Sequence, residues 1–408
     1  MPVPQGPLAG IRVLDFSSFL AGPTAAQLLG DMGADVVKVE PPTGDLGRTW
    51  SPFIAGESRF FLAWNRNKRS IAIDLTTDAG REIVYKLIAD TDVVVENFRH
   101  GITAKLKIDY ETLRERNPKL IYCSSTAFGA KGPQAKRPGY DPVLQSLAGA
   151  ARGNERNNGG TTAICSVAVS DHQACMLMVS GICAALYYRE RTGVGQKLET
   201  SLLQAAMSVQ SQMFVKALDR KEDGLLGISP YRLFATKDDK IFIAAATDRF
   251  WRILCDVIGE PELGTDPAFA TNGQRVNQAT VLNERLQPRF LEKTTAEWEA
   301  LLVAAGVPCA AIKTYMEFFD DPQVAAMDMN PVMEHPLAGR LQVSGLPIHF
   351  HETPGVLNRP SPLLGQHTKE ILAEAGYDAI EIERLIASQT VRQHAIASVQ
   401  LEAAEPRP

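Results

Sequence analysis

Asp171 stands where the segment 166–170 gives way to a long apolar run, 174–188. A carboxylate in the first turn of a buried helix meets unpaired backbone N–H groups and the positive end of the helix dipole, which hold it ionised. Two readings follow. Such a carboxylate can attack an acyl group as a nucleophile. It can also simply cap the helix, because aspartate is among the preferred capping residues. His172 adjoins it, but neighbours along a helix do not face one another, so it is a poor partner. Cys175, one turn later, reads as a packed thiol rather than a reactive one.

Basic side chains recur at predicted loop positions in the first 140 residues: Arg66, Lys68 and Arg69, then Arg99, Lys105 and Lys107, then Lys131, Lys136 and Arg137. Loops at one end of a parallel sheet converge on a shared crevice. Cations gathered there could hold a phosphorylated ligand by charge-assisted hydrogen bonds; scattered, they are ordinary solvated surface. His349 and His351 alternate in a predicted strand and are too few for a metal site, so no metal is expected. No Gly-x-Ser-x-Gly nucleophile turn occurs. The region from Val13 to Glu40 imitates a dinucleotide fold but lacks the three-glycine spacing that admits a pyrophosphate. Glu40 there reads equally well as a strand-end cap.

These residues need a scaffold. Over the first 125 residues, strand-like segments (11–16, 36–40, 70–74, 93–96, 120–124) alternate with helix-like ones (24–32, 78–89, 110–117). That alternation implies βαβ units and a doubly wound, mostly parallel, Rossmann-like sheet with helices on both faces. The stretch 130–162 reads as loop around one helix at 142–149. The helix after Asp171 should stop at Gly193, with a second helical stretch at 198–218. A strand at 241–246 and helices at 250–258 and 296–305 suggest a smaller α+β domain over 226–327. Strand character returns at 341–350, then helices at 365–375 and 379–388. The domain expectation is 1–218 for the N-terminal part of a large α/β domain and 328–394 for its C-terminal return, with 395–408 as a flexible tail.

The bulk properties narrow the classes. A chain of 408 residues with 45% apolar and 22% charged content can build a large core. A net charge of −5 offers no basic surface for nucleic acid or an anionic membrane. The six cysteines show no Cys-x-x-Cys spacing and read as reduced core residues. The start shows no basic region followed by an apolar stretch, and the run 174–188 is shorter than the about twenty residues of a membrane span. A cytoplasmic protein is expected.

Several blocks resemble the family III CoA-transferases, the family of formyl-CoA transferase and carnitine CoA-transferase. They are Pro7-Leu8-Ala9-Gly10-Ile11-Arg12-Val13-Leu14-Asp15, Ala21-Gly22-Pro23, Gly33-Ala34-Asp35-Val36-Val37-Lys38-Val39-Glu40 and Asn67-Lys68-Arg69-Ser70-Ile71. Later blocks are Val95-Glu96-Asn97-Phe98, Arg137-Pro138-Gly139-Tyr140-Asp141, Arg191-Thr192-Gly193-Val194-Gly195-Gln196 and Pro362-Leu363-Leu364-Gly365-Gln366-His367-Thr368. The similarity runs in order over roughly residues 7 to 390, which no isolated motif could do.

The resemblance implies that Asp171 is the family nucleophile and that CoA moves from an acyl-CoA to a carboxylic acid through an aspartyl-CoA thioester. It implies a CoA site at Ile73, Asp74, Leu75 and Thr76, at Asn97, Phe98 and Arg99, at Lys105, and at Arg137, Pro138, Gly139 and Tyr140. It places Leu20, Arg48, Trp50 and Tyr140 around the acyl pocket. No permanently bound cofactor is implied; the CoA thioester is a substrate. Two chains would interlock as a homodimer. Three departures from formyl-CoA transferase point away from oxalate as acceptor: Leu20 replaces a glutamine, Pro41 an arginine, and the loop 226–231 a tetraglycine lid. Arg48 and the polar Ser17-Ser18 segment suggest a small carboxylate or dicarboxylate, with succinyl-CoA as donor. Racemases of the same family carry a histidine where Tyr140 stands. A phenol with a reference pKa of about 10 shuttles protons poorly near neutral pH, so transfer is favoured over racemisation.

Overall fold

The computed structural model describes residues 6–157, 161–219 and 227–394. The expected tail 395–408 and the first residue of the 226–231 loop lie outside them. The chain divides into two compact units, one formed by Met1–Phe214 with Ala325–Pro408 and the other by Val215–Val324.

The larger unit is built on strands β1 (Arg12–Asp15), β2 (Asp35–Glu40), β3 (Lys68–Ile73), β4 (Val93–Glu96), β5 (Ile121–Thr126) and β6 (Lys197–Ser201). They run parallel in the order β3-β2-β1-β4-β5-β6, and the short C-terminal segment Val391–Arg392 pairs antiparallel on the outer side of β3. The order reverses direction at β1, which pairs with β2 on one side and β4 on the other. Ligands of such sheets bind beyond the carboxyl ends of the strands at that reversal.

Side-chain alternation along the strands supplies two cores. Val13, Val36, Val93, Val95 and Ile121 face helices α1 (Ala21–Asp31) and α4 (Val169–Thr192). Leu14, Val37, Val39, Ile71 and Val94 face α2 (Asp78–Ile88) and the C-terminal helices Thr368–Glu374 and Ala379–Ala387. Two further helices, α3 (Asp141–Leu147) and α5 (Leu202–Val209), lie near the mouth of the crevice. The smaller unit has a three-stranded antiparallel sheet, Tyr231–Ala235, Lys240–Ala244 and Cys309–Ala311, whose core holds Trp251, Phe290 and Trp298.

Several local expectations change. Helix α1 starts at Ala21, not at 24. Pro23 falls in its first turn, where the missing N–H loses no hydrogen bond. A Cβ on Gly22 would lie 2.3 Å from the Ser17 Cβ, so only glycine lets this helix begin against the loop leaving β1. The stretch 198–218 is not one helix. Its start is the edge strand β6, and Ser201 ends that strand by accepting the Gln204 N–H as the cap of α5. Strand character at 341–350 ends at Gln342, because the Ser344 carbonyl accepts from Arg66 Nη1 at 2.5 Å and Pro347 has no N–H to offer a ladder. His349 and His351 therefore do not share a strand face.

Helix α4 is 24 residues long, by length and composition enough to cross a membrane, and longer than its apolar run suggested. One side of it, including Cys175, Met178 and Ile182, is packed in the sheet core. Gly193 ends it in the left-handed conformation at φ 72°. Cys123, Cys175 and Cys255 are buried, but Cys165 is exposed, contrary to its reading as a core thiol. Gln145 holds its backbone at both ends, with the Cys165 N–H donating to Oε1 and the carbonyl accepting from Nε2, so the side chain faces outward.

Candidate active site

A cavity of about 170 Å³ opens at the sheet reversal. The loop after β1 supplies Ser18, Phe19 and Leu20, and the loop after β4 supplies Asn97, Phe98 and Arg99. Tyr140, just before α3, and Asp171, in the first turn of α4, line it from separate elements. Two loops from adjacent strands are tied together by one side chain. Asn97 Oδ1 accepts from the Ser18 N–H at 2.8 Å, and its Nδ2 donates to the Ser18 carbonyl at 2.7 Å. Behind β4, Glu96 Oε2 accepts the Phe98 N–H at 2.8 Å. Burial raises the Glu96 carboxyl to about 7, against the lowering effect of its hydrogen bonds from Ser124 and Phe98.

Beneath the loop after β1 lies a buried charge cluster. Lys38 Nζ meets Asp45 at 2.8 Å and donates to the Ser17 carbonyl at 2.9 Å. Lys68 Nζ donates to Asp15 at 2.8 Å, to Asn65 and to the Pro23 carbonyl. Burial works to raise the Asp45 carboxyl, but the Lys38 charge and hydrogen bond outweigh it and hold the group at about 2. Burial, with the neighbouring Lys38, lowers the Lys68 ammonium to about 8 despite Asp15. All four charges are satisfied internally, so they fix the loop rather than bind a ligand.

Asp171 is the third residue of α4, and the cap position belongs to Ala168, whose side chain makes no capping bond. The capping reading of Asp171 therefore fails. Asp141, at the start of α3, takes that role across the chain: its Oδ1 accepts from the Ser170 N–H at 2.5 Å and from the Asp171 N–H at 3.3 Å. Gln145 steadies Asp141 from one turn further along. The free end of the helix is thus already filled by a carboxylate. Burial first, and the Asp141 charge second, push the Asp171 carboxyl up to about 7. The expectation that the helix end holds it ionised is corrected: its N–H groups serve Asp141 instead. Among the described residues, no hydrogen bond or ion pair reaches the Asp171 carboxyl, which faces the cavity unpaired. His172 is exposed and does not line the cavity.

The expected CoA residues divide into two groups. Asn97, Phe98, Arg99, Arg137, Pro138, Gly139 and Tyr140 all line the cavity, as do His100 and Lys136. Arg137 lies over the Phe128 ring at 5.1 Å and donates to Gln134. Lys105 is exposed on the short helix Ile102–Lys105, outside the cavity lining. Ile73 is fully buried in the core, while Asp74, Leu75 and Thr76 form the turn after β3, shaped by the Thr76 N–H and hydroxyl donating to Asp74. That turn lies at the carboxyl edge of the same parallel sheet.

Lys107 and Lys131 are exposed and do not line the cavity, and three other basic candidates are occupied. Arg66 is buried against Asp31, Lys68 against Asp15, and Arg69 against Asp35, Glu370 and Glu374. Arg48 is committed too. Its Nε and Nη2 grip both oxygens of Glu40 at 2.7 and 2.8 Å, Nη1 faces Glu57 at 3.5 Å, and its plane lies 3.5 Å from the Phe61 ring centre. Arg48 is therefore not a free cation for a substrate carboxylate, and Glu40 is its buried partner rather than a plain strand cap. Leu20 is buried and lines the cavity; Trp50 reaches it only through its contact with Phe19. Sequence reasoning passed over Phe19 and Asp141. Asp141 carried one signal, an acidic residue followed by Pro142 at a helix start. Among the described residues, no group of three or more His, Cys, Asp or Glu side chains is placed to hold a metal ion.

The sequence profile described as CoA-transferase family III matches residues 8–368. The chain belongs to this family. It is 36% identical over 397 residues to the succinyl-CoA:glutarate CoA-transferase of Mus musculus, spanning 95% of this chain and 91% of that protein. It is 36% identical over 393 residues to the succinyl-CoA:mesaconate CoA-transferase of Haloarcula marismortui, spanning 92% and 98%. The crystal structure of Rv3272 from M. tuberculosis matches with a TM-score of 0.81 at 33% identity, over 90% of this chain and 99% of that one. Family III membership makes the protein a CoA-transferase, with a CoA thioester as substrate. The α/β class with a mostly parallel sheet is likewise as the sequence implied.

Proposed function

We propose that this family III protein moves CoA from succinyl-CoA to a short dicarboxylic acid through an aspartyl-CoA thioester on Asp171. The observation that carries the reading is the unpaired Asp171 carboxyl in a cavity that Arg99, Lys136 and Arg137 also line. The cations suit the phosphates of CoA, and the carboxyl suits the thioester. The substrates named for the relatives from Mus musculus and Haloarcula marismortui, a succinyl-CoA donor with a dicarboxylate acceptor, support the choice of acids.

The steps balance without an added reagent. The Asp171 carboxylate attacks the thioester carbonyl and expels CoA thiolate, giving a mixed anhydride. The thiolate attacks the aspartyl carbonyl, releases succinate and leaves aspartyl-CoA. The acceptor carboxylate attacks that thioester, and the thiolate returns to the acceptor's carbonyl, freeing Asp171. Each anhydride preserves the activation of the acyl group, and no proton is consumed. Attack requires the ionised carboxyl, and a group brought to about 7 is more nucleophilic, once ionised, than an ordinary carboxylate.

A homodimer belongs to the same reading. The half-exposed Met207, Met213 and Phe214, at α5 and just beyond it, offer an apolar face for a second chain. The direct test follows succinyl-CoA with glutarate by chromatography. Appearance of glutaryl-CoA, with parallel double-reciprocal plots, supports the reading; equal exchange by Asp171→Ala would overturn it.

A further inference from the structure

Phe19 holds a conformation that a bulky side chain avoids. Its φ is 77°, in the left-handed region that normally falls to glycine or asparagine. Strain of this kind survives only where the surroundings over-determine it. Here Asp45 accepts the Phe19 N–H at 3.2 Å and the Ser18 hydroxyl at 2.5 Å, while Asn97 clamps both backbone groups of Ser18. Lys38 anchors Asp45 and the Ser17 carbonyl from below. A glycine would satisfy this backbone at no steric expense, so the aromatic ring itself is what the position retains.

The ring's surroundings say what it is for. It meets the Trp50 ring edge-on with centroids 4.3 Å apart, and the Tyr140 ring at 5.7 Å and 47°. Trp50 and Tyr140 remain half exposed, so this row of rings is a wall and not a sealed core. Phe19 lines the same cavity as Leu20 and Asp171. Arg48 does not line the cavity and is held by Glu40 and Glu57, so beside the Phe19–Trp50 rings shape rather than an Arg48 ion pair discriminates among acids.

We propose that Phe19 is a specificity-determining residue of the acyl compartment, where its ring, wedged between Trp50 and Tyr140, sets the longest carboxylic acid that can reach Asp171. The assignment rests on the transferase reading above. It places the size limit on a residue that neither binds CoA phosphate nor takes part in the covalent steps.

The test uses Phe19→Gly and Phe19→Asn, since both residues accept the left-handed backbone and both remove the ring. Wild type and variants are assayed with succinyl-CoA and a series of straight dicarboxylates, glutarate, adipate and pimelate, with melting temperature measured in parallel. The expected result is a rise of about tenfold or more in the ratio of kcat/KM for adipate over glutarate, the scale on which pocket contacts separate neighbouring homologues. Both variants should melt at or above the wild-type temperature. An unchanged ratio in variants that still exchange CoA overturns the assignment and leaves the transferase reading standing. Marked destabilisation with an unchanged ratio identifies Phe19 as packing and also overturns it. Failure of wild type to exchange CoA with any acid overturns the reading of the site, and this assignment with it.

Discussion

Asp171→Asn should make the protein more stable at neutral pH while abolishing transfer. The side chain keeps its shape and loses its charge. The wild-type carboxyl stands at about 7 in the folded chain against an ordinary 3.8, because of burial and the neighbouring Asp141. A carboxyl whose folded pKa is raised binds its proton more tightly in the native state, so its ionisation opposes folding. Below about pH 4 both states are protonated and there is no penalty. Between about pH 4 and 7 the unfolded chain ionises first, and the penalty grows until the folded group ionises too. The interval from 3.8 to about 7, at about 1.36 kcal/mol per pH unit, comes to about 4 kcal/mol. That figure is an upper bound, since water at the cavity mouth screens the group. Urea denaturation of wild type and variant at pH 4, 5, 6, 7 and 8, followed through the first cooperative transition, measures the difference. The expected gap is near zero at pH 4 and about 2 to 4 kcal/mol in favour of the variant at pH 8. A gap that is constant with pH, or an Asn variant less stable at pH 8, would refute the claim that the carboxyl is strained by burial and a like charge.

Further outcomes follow from the same contacts. Asp141→Asn keeps an oxygen for the Ser170 N–H but removes the charge beside Asp171, so the rising limb of kcat/KM against pH should move down from about 7; Asp141→Ala should instead lose about 1 kcal/mol of stability with the cap. Arg48→Met leaves Glu40 buried without its cation. It should destabilise the protein by about 3 to 5 kcal/mol in chemical denaturation, and adding Glu40→Gln should recover much of that. Discrimination between mono- and dicarboxylates should be unaffected in variants that fold, which steady-state kinetics checks. Arg137→Ala should raise the KM for succinyl-CoA about tenfold with kcat nearly unchanged, and should weaken the dependence of KM on salt.

The central sheet was legible in the sequence because β1, β2, β4 and β5 are short apolar runs whose neighbours are turns and amphipathic helices. Strand β6 was not. Lys-Leu-Glu-Thr-Ser carries little apolar signal, and only its pairing beside β5 makes it a strand. The start of α1 was obscured by Gly22-Pro23, which breaks most helices but suits a first turn packed on Ser17. At the site, Asp171 and the 97–99 and 137–140 segments were found through family resemblance, and they do meet in one cavity. The electrostatics of Asp171 were read backwards, because its local sequence promises a free helix end. Asp141, thirty positions earlier, already occupies it. Arg48, Arg66, Lys68 and Arg69 looked like ligand cations for the same reason. Their partners Glu40, Asp31, Asp15 and Asp35 come from strands or helices distant in sequence or across a turn, and only the fold pairs them.

The most direct test of the account is to look for the covalent intermediate. The protein is mixed with succinyl-CoA in the absence of acceptor, trapped with hydroxylamine or borohydride, digested and analysed by mass spectrometry. The account predicts modification at Asp171, as the hydroxamate or the reduced alcohol, and none in Asp171→Asn. An unmodified Asp171 in protein that still turns over acyl-CoA would contradict it.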